Sequence, residues 1–201
     1  MHISEGVLSA QVLIGGGVLG AVGTAIGLKK LDYDKVMSAA IMSATFFVAS
    51  LIHVPIGPSN AHLILNGLLG VVLGWAAFPA ILTGLLLQAV LFQYGGLTVL
   101  CLNTFNMAAP AVLCWYLFGN LLRNSGTRAF AGAFCCGSLA VLLSTVLTAA
   151  SLALSGDAFI EPAGILAASH VPIMIIEGVI TGFAYTFLAK VKPEVLHGSA
   201  A

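Results

Sequence analysis

The sequence predicts an all-α polytopic membrane protein of about seven transmembrane helices, with an extracytoplasmic N-terminus and a cytoplasmic C-terminus, forming one domain over residues 1–201. Three observations lead there. The first is composition: 60% of the 201 residues are hydrophobic and 7% are charged, and the mean hydropathy is +1.09. A soluble domain carries roughly 25% charged residues. Seven basic and seven acidic side chains cannot solvate the outside of a soluble fold this apolar, so the bilayer is the natural solvent. The second is a series of apolar segments near the length of a membrane span. The third is that the basic residues all sort to one side of those segments.

A hydrocarbon core of about 30 Å takes roughly 20 apolar residues as helix. The seven candidate segments run from about Val7 to Leu28, Val36 to Ile52, Ala61 to Phe78, Pro79 to Phe92, Asn106 to Leu122, Phe130 to Leu154 and Val171 to Ala189. The third carries Asn66 and several glycines, and Pro79 opens the fourth; one broken hairpin is the alternative for this pair. Glycine inside apolar runs is no objection here, because small residues let membrane helices approach closely. Gly17, Ala21 and Ala25, spaced by four, predict close packing of the first segment, against another helix of this chain as the simpler reading or against a separate subunit.

Orientation follows from charge. Lys29, Lys30 and Lys35 lie between segments one and two, Arg123 and Arg128 between five and six, and Lys190 and Lys192 after seven. With seven spans all seven basic residues fall on one side, which the positive-inside rule makes cytoplasmic. Six spans would break this agreement. Lys and Arg are absent before Lys29, so the start lacks the basic region of a signal peptide and is expected to be retained. Net charge is zero and no basic patch points to nucleic acid. Cys101, Cys114, Cys135 and Cys136 lack zinc-site spacing and read as small hydrophobes in membrane helices.

On this topology His2, His53, His62 and His170 all fall at extracytoplasmic ends, and only His197 lies in the cytoplasmic tail. The Met1 amine, the His2 amide nitrogen and the His2 imidazole can close adjacent five- and six-membered chelate rings. A deprotonated amide ligand suits metals that favour planar nitrogen, Ni(II) or Cu(II), with low-spin Co(II) also compatible. Zn(II) prefers tetrahedral sites. A fourth nitrogen is expected from His62, where the stiff run from Pro55 to His62 enters segment three. A helix N-terminus there disfavours protonation and keeps the imidazole a ligand. His53 and His170 are expected to orient a ligand or to serve as alternative ligands. For each histidine taken alone, a polar cap at the membrane interface is the simpler reading.

The start MHISEGVLS, the run HVPIGPSNAHLILNGLLG at residues 53–70, LLLQAVLFQYGGLTVLCLNTFNMAAPAV at residues 85–112 and SHVPIMIIEGVITG at residues 169–182 together resemble the cobalt/nickel substrate-binding membrane component (S component, CbiM/NikM family) of energy-coupling factor (ECF) transporters. The resemblance covers most of the chain in the right order. It implies a seven-helix protein whose N-terminus inserts into the molecule. It implies Co(II) or Ni(II) as transported substrate, held at Met1, His2 and His62, with His53 and His170 in support. Asn60 stands where the family often has Ser or Val. The resemblance further implies a transmembrane coupling (T) component, cytoplasmic ATPase subunits and a small accessory membrane subunit as partners, in the inner membrane of a prokaryotic cell. No appended soluble domain is visible, which suits the minimal cobalt-type member.

Other polar residues carry two readings each. Glu177 is the only acid within a span. A buried carboxylate is costly and needs a partner; it either positions His170 or a neighbouring helix, or is a hydrogen-bonded structural residue. Asn103 and Asn106 either cap segment five or hold the inserted N-terminus. Gln88 and Gln93 read as hydrogen bonds between helices. The chain lacks the GxxxxGK[ST] phosphate loop and HExxH, so neither ATP hydrolysis by that route nor a zinc protease is expected of it. A self-sufficient proton-coupled transporter is the alternative, although only Glu177 is at hand for coupling.

Overall fold

The computed structural model describes residues 3–56 and 59–197. The helices are α1 (Ala10–Lys29), α2 (Val36–Ala49), α3 (Asn66–Leu73), α4 (Ala77–Phe92), α5 (Leu100–Leu122), α6 (Thr127–Ala153), α7 (Ile160–Ser169), α8 (Val171–Val191) and α9 (Glu194–His197). Two strands, β1 (His53–Ile56) and β2 (Ser59–His62), pair antiparallel between α2 and α3. Among the described residues the fold is otherwise helical, and the break between the third and fourth predicted segments falls at Gly74–Ala76 rather than at Pro79. Among the described residues, five helical runs are long and apolar enough to cross a membrane: Ala10–Lys29, Asn66–Phe92, Leu100–Leu122, Thr127–Ala153 and Val171–Val191. Their outward faces carry exposed Ile14, Val18 and Val22 on α1 and Phe183 and Phe187 on α8, as lipid-facing positions require. The chain is a multi-pass membrane protein.

The run Asn66–Phe92 does not cross as one rod. Asn66, Gly70 and Gly74 lie against Met107, Ala111 and Trp115 in turn, so α3 runs parallel to α5, toward Arg123 and the basic end. From there Pro79 lies beside Gly27, Gly84 beside Phe46, and Gln88 beside Ser50, so α4 runs away from that end. The chain turns back at Gly74, whose φ of 55° is one that side chains with a Cβ disfavour. Trp75 follows at the turn, with Lys30 Nζ 5.3 Å above its ring.

α3 is the hub. All eight of its residues are buried, packed between α4, α5, α6 and α8. Where helices gain no hydrophobic advantage over lipid, close approach through glycine supplies the packing. A Cβ on Gly70 would overlap the Ala111 carbonyl, and one on Gly178 would strike Ser138 and Phe134. On α1 the buried glycines are Gly20, Gly23 and Gly27, facing Cys101, Phe78 and the Trp75 carbonyl. Gly17, Ala21 and Ala25 do not pack inside the molecule as expected: Gly17 has no neighbour within 4 Å, and Ala21 and Ala25 are exposed.

Three further elements differ from expectation. α5 begins at Leu100, six residues before the predicted start, because the whole stretch from Leu100 is apolar or helix-compatible once Asn103 and Asn106 find partners. They lie inside the helix and do not cap it. Gln93 adopts a left-handed conformation at the end of α4 (φ 58°) and terminates that helix rather than bridging to another. α7 fills the stretch between segments six and seven, too short to span.

Candidate metal centre

The N-terminal segment is docked by backbone and side-chain bonds from Ile3 onward. Asn103, one turn into α5, accepts a hydrogen bond from Ile3 N–H at 3.2 Å and donates to Ile3 C=O at 3.1 Å. Both groups are buried, with Ile3 only 3% exposed. One side-chain amide thus satisfies both backbone polar groups of Ile3, and Asn103 holds the N-terminal segment, one of its two predicted roles. Further along, Glu5 N–H donates to the Gly95 carbonyl at 3.2 Å. The Glu5 carboxylate accepts from Thr98 N–H at 2.9 Å and Thr98 Oγ1 at 3.1 Å. These bonds hold the Glu5 carboxyl below its usual pKa. Gly96 (φ 141°) leaves room for this: a Cβ there would overlap the Glu5 side chain.

His62 ends β2 and is 7% exposed. It sits four residues before α3 rather than at a helix N-terminus as expected, because α3 starts only at Asn66. The dipole argument for a neutral ring therefore lapses; the contact found here sets the tautomer of that ring and not its charge. His62 Nδ1 lies 2.9 Å from the Leu63 carbonyl; a carbonyl only accepts, so Nδ1 carries a proton, and in the neutral ring Nε2 is the acceptor atom. A ring oriented in this way by a backbone carbonyl is the usual state of a metal-binding histidine.

The first turn of α3 is anchored by Glu177, which is fully buried. Its carboxylate accepts from Ile64 N–H and, at 2.8 and 3.0 Å, from Leu65 N–H. Leu65 has φ 54°, and successive N–H groups in such a bend form a concave anion site. Glu177 therefore positions the segment that carries His62, not His170. Asn66 adds a second anchor: Nδ2 donates to the Met107 carbonyl at 3.0 Å and to Ser144 Oγ at 2.8 Å. Asn106 donates to Ser151 Oγ at 3.4 Å, extending a polar seam between α5 and α6.

α5 serves as a ruler. Asn103 and Met107 are one turn apart, about 6 Å along the axis. Ile3 sits at the first and Asn66 at the second, so the chain from His62 to Leu65 enters at the level where the N-terminal segment docks. His170 caps α8 and is 4% exposed. Its Nδ1 lies 2.8 Å from the Leu166 carbonyl, while its buried Nε2 has no hydrogen-bond partner. Burial pushes the His170 imidazole below its usual pKa, against the opposing pull of the Leu166 carbonyl. His170 lies seven residues before Glu177 on a helix running toward the basic end, so it and His62 lie on the same side of that carboxylate. The strand register sets His53 opposite His62 and Asn60 opposite Pro55. Met1 and His2 lie outside the described residues. Among the described residues no three His, Cys, Asp or Glu side chains converge.

Sequence reasoning missed Thr98, the glycine pair Gly95–Gly96, and Ser144. The glycine pair was the available signal, since adjacent glycines ending an apolar helix mark a turn through which another segment can pass. Gln88 matches its predicted role, with Nε2 donating to Ser50 Oγ at 2.7 Å across α4 and α2.

Comparison with known proteins gives a consistent result. The family described as the cobalt uptake substrate-specific transmembrane region matches residues 2–195. A Haemophilus influenzae protein named as a metal transport protein is 40% identical, over 98% of this chain and 97% of its own length. Cobalt transport protein CbiM 1 of Pelobacter propionicus is 32% identical, over 98% of this chain and 94% of its own. A crystal structure of a truncated transition metal transporter aligns with a TM-score of 0.78 at 29% identity, covering 94% of this chain and 99% of that one. On these grounds the chain belongs to the CbiM family of cobalt-uptake transmembrane proteins.

Proposed function

We propose that this protein is the substrate-binding subunit of an ECF-type, ATP-driven importer, and that it captures Co(II) or Ni(II) at the extracytoplasmic face. The observation that carries the reading is the Asn103 clamp on Ile3. It fixes the backbone immediately after His2 at the level where His62 enters, in a protein family whose members are named for cobalt transport. In this reading the Met1 amine, the His2 amide and imidazole nitrogens and His62 Nε2 form a planar four-nitrogen site. His170, His53 and Asn60 support these ligands or take the place of one.

The chain crosses the inner membrane seven times, N-terminus outside. The basic ends of α1, α5 and α8 face the cytoplasm, following the positive-inside rule. Separate coupling and ATPase subunits supply the energy, since the chain carries no phosphate-binding loop. Glu177, the acid within a span, is engaged with two backbone N–H groups, which argues against a proton-coupled transporter acting alone.

The test is a titration of purified protein bearing its native start with Co(II), Ni(II), Zn(II) and Cu(II), beside a variant with one Ala added before Met1 and a His2→Ala variant. One tightly held Co(II) or Ni(II), lost in both variants, is the expected result. Unchanged affinity in the extended variant removes Met1 from the site, and uptake by this chain alone in vesicles driven by a proton gradient overturns the ECF assignment.

A further inference from the structure

A large cleft lies at the opposite end from the candidate metal centre. It encloses about 940 Å³ between the Lys30 end of α1, the Gly74–Ala76 turn, the α5–α6 connection and the last turn of α8. Lys30, Lys35, Arg123 and Lys190 line it, and no Asp or Glu does. Lys35 is paired with Asp32 at 3.6 Å, the only salt bridge among the described residues. Three cations therefore face one cleft without a carboxylate partner. Asn120, Asn124 and Thr127 add neutral hydrogen-bonding groups on the same wall.

The rest of the lining is aromatic and apolar. Trp75 Nε1–H donates to Tyr116 Oη at 2.8 Å, and Tyr185 Oη donates to the Leu122 carbonyl at 2.6 Å. Trp and Tyr with their polar edges so satisfied belong at the boundary between hydrocarbon and headgroups. Val71, Leu73 and Phe130 form an apolar wall deeper in.

We infer that this cleft is a binding site for one anionic phospholipid, its phosphate held by Lys30, Arg123 and Lys190 and the upper part of its acyl chains lying on the aromatic and apolar wall. Charge complementarity selects the occupant. Three cations without a carboxylate partner disfavour a divalent metal and attract a phosphodiester. The apolar wall and the interface aromatics suit a lipid better than a free anion, and basic pockets between membrane helices hold acidic headgroups in this way. The acids nearest to hand, Asp32, Asp34 and Glu194, line a separate smaller cleft that shares Lys35 and Leu73.

The experiment is native mass spectrometry of the detergent-purified protein with phosphatidylglycerol or phosphatidylcholine of matched chains, each with and without millimolar inorganic phosphate. The expected result is one retained phosphatidylglycerol, preferred about 10-fold or more over phosphatidylcholine and not displaced by phosphate. Arg123→Gln and Lys190→Gln should each weaken it about 5-fold. Lys29→Gln, a basic residue at the same end but off the cleft, should leave it unchanged. Equal retention of the two lipids, or equal losses in all three variants, would overturn the proposal. Displacement by phosphate would reassign the cleft to a free anion. Absence of lipid preference, together with co-purification of a partner subunit that Arg123→Gln abolishes, would reassign it to an acidic protein segment. Metal affinity at the far end should be unaffected in every variant, so this test and that of the transport function fail independently.

Discussion

Replacing Asn103 with Ala removes the clamp on Ile3 while touching none of the proposed metal donors. Two hydrogen bonds are lost, each worth about 0.5–1.5 kcal/mol net. The docked state is then left with a buried N–H and a buried C=O unsatisfied. The alternative is to release the segment, which exposes the Ile3 side chain at a cost of roughly 1.5–3 kcal/mol. Either route disfavours the docked arrangement by about 2 kcal/mol, equivalent to ~30-fold in an equilibrium constant. The segment precedes α1 and can open without unfolding the helices, so the loss should appear in metal affinity and not in global stability. We expect Asn103→Ala to weaken Co(II) or Ni(II) binding by about 10- to 100-fold in isothermal titration, with the thermal unfolding midpoint nearly unchanged. Asn103→Asp keeps the acceptor for Ile3 N–H but loses the donor, and should fall between. A change in affinity below about threefold, or one matched by an equal loss of global stability, would refute the idea that this amide positions the site.

Glu177→Ala leaves the N–H groups of Ile64 and Leu65 without an acceptor in a water-free interior, and should destabilise the protein by about 3–5 kcal/mol in detergent unfolding; Glu177→Gln, which keeps an acceptor oxygen, should cost less than half of that. Gly20→Ala drives a Cβ into the Cys101 carbonyl and should cost about 1–3 kcal/mol by prising α1 from α5. Gly15→Ala, with no neighbour within 4 Å, should be neutral or stabilising by up to about 1 kcal/mol. The Glu5 carboxyl has a folded pKa below its unfolded one, so its contribution is fully present above the ordinary carboxylate pKa and is lost as pH falls through the depressed value. Hydrogen exchange across residues 93–100 should therefore rise in acid relative to neutral pH, after correction for intrinsic rates, and Glu5→Gln should flatten that difference.

The helical segments were legible because their signal is the bilayer itself: some 20 apolar residues in a row are read without any knowledge of neighbours. What composition could not reveal depends on partners. α3 is only eight residues long because its start is set by Glu177, 113 residues away from Ile64 in sequence, and not by a local cap. α5 begins at Leu100 because Asn103 and Asn106 meet polar partners on Ile3 and Ser151. The packed glycines of α1 were not told apart from its exposed Gly17 for the same reason, since small residues look alike until a neighbour is known. At the candidate site, the histidines were visible from their topology, whereas the Thr98 and Gly96 seat for Glu5 and the carbonyl behind His62 were not, because backbone groups leave no mark in sequence.

The fold-back at Gly74 constrains how the molecule is made. When residues 66–92 leave the ribosome they form an apolar run long enough to thread straight through a bilayer. Their final partners on α5, α6 and α8 have not yet been synthesised, and the carboxylate that receives the Ile64 and Leu65 amides arrives with the last long helix. An eight-residue helix of about 12 Å cannot hold itself across about 30 Å of hydrocarbon. α3 must therefore reach its resting place late, drawn inward from the nascent topology once the later helices have closed around it. Assembly of the centre of this protein is completed from its C-terminal end.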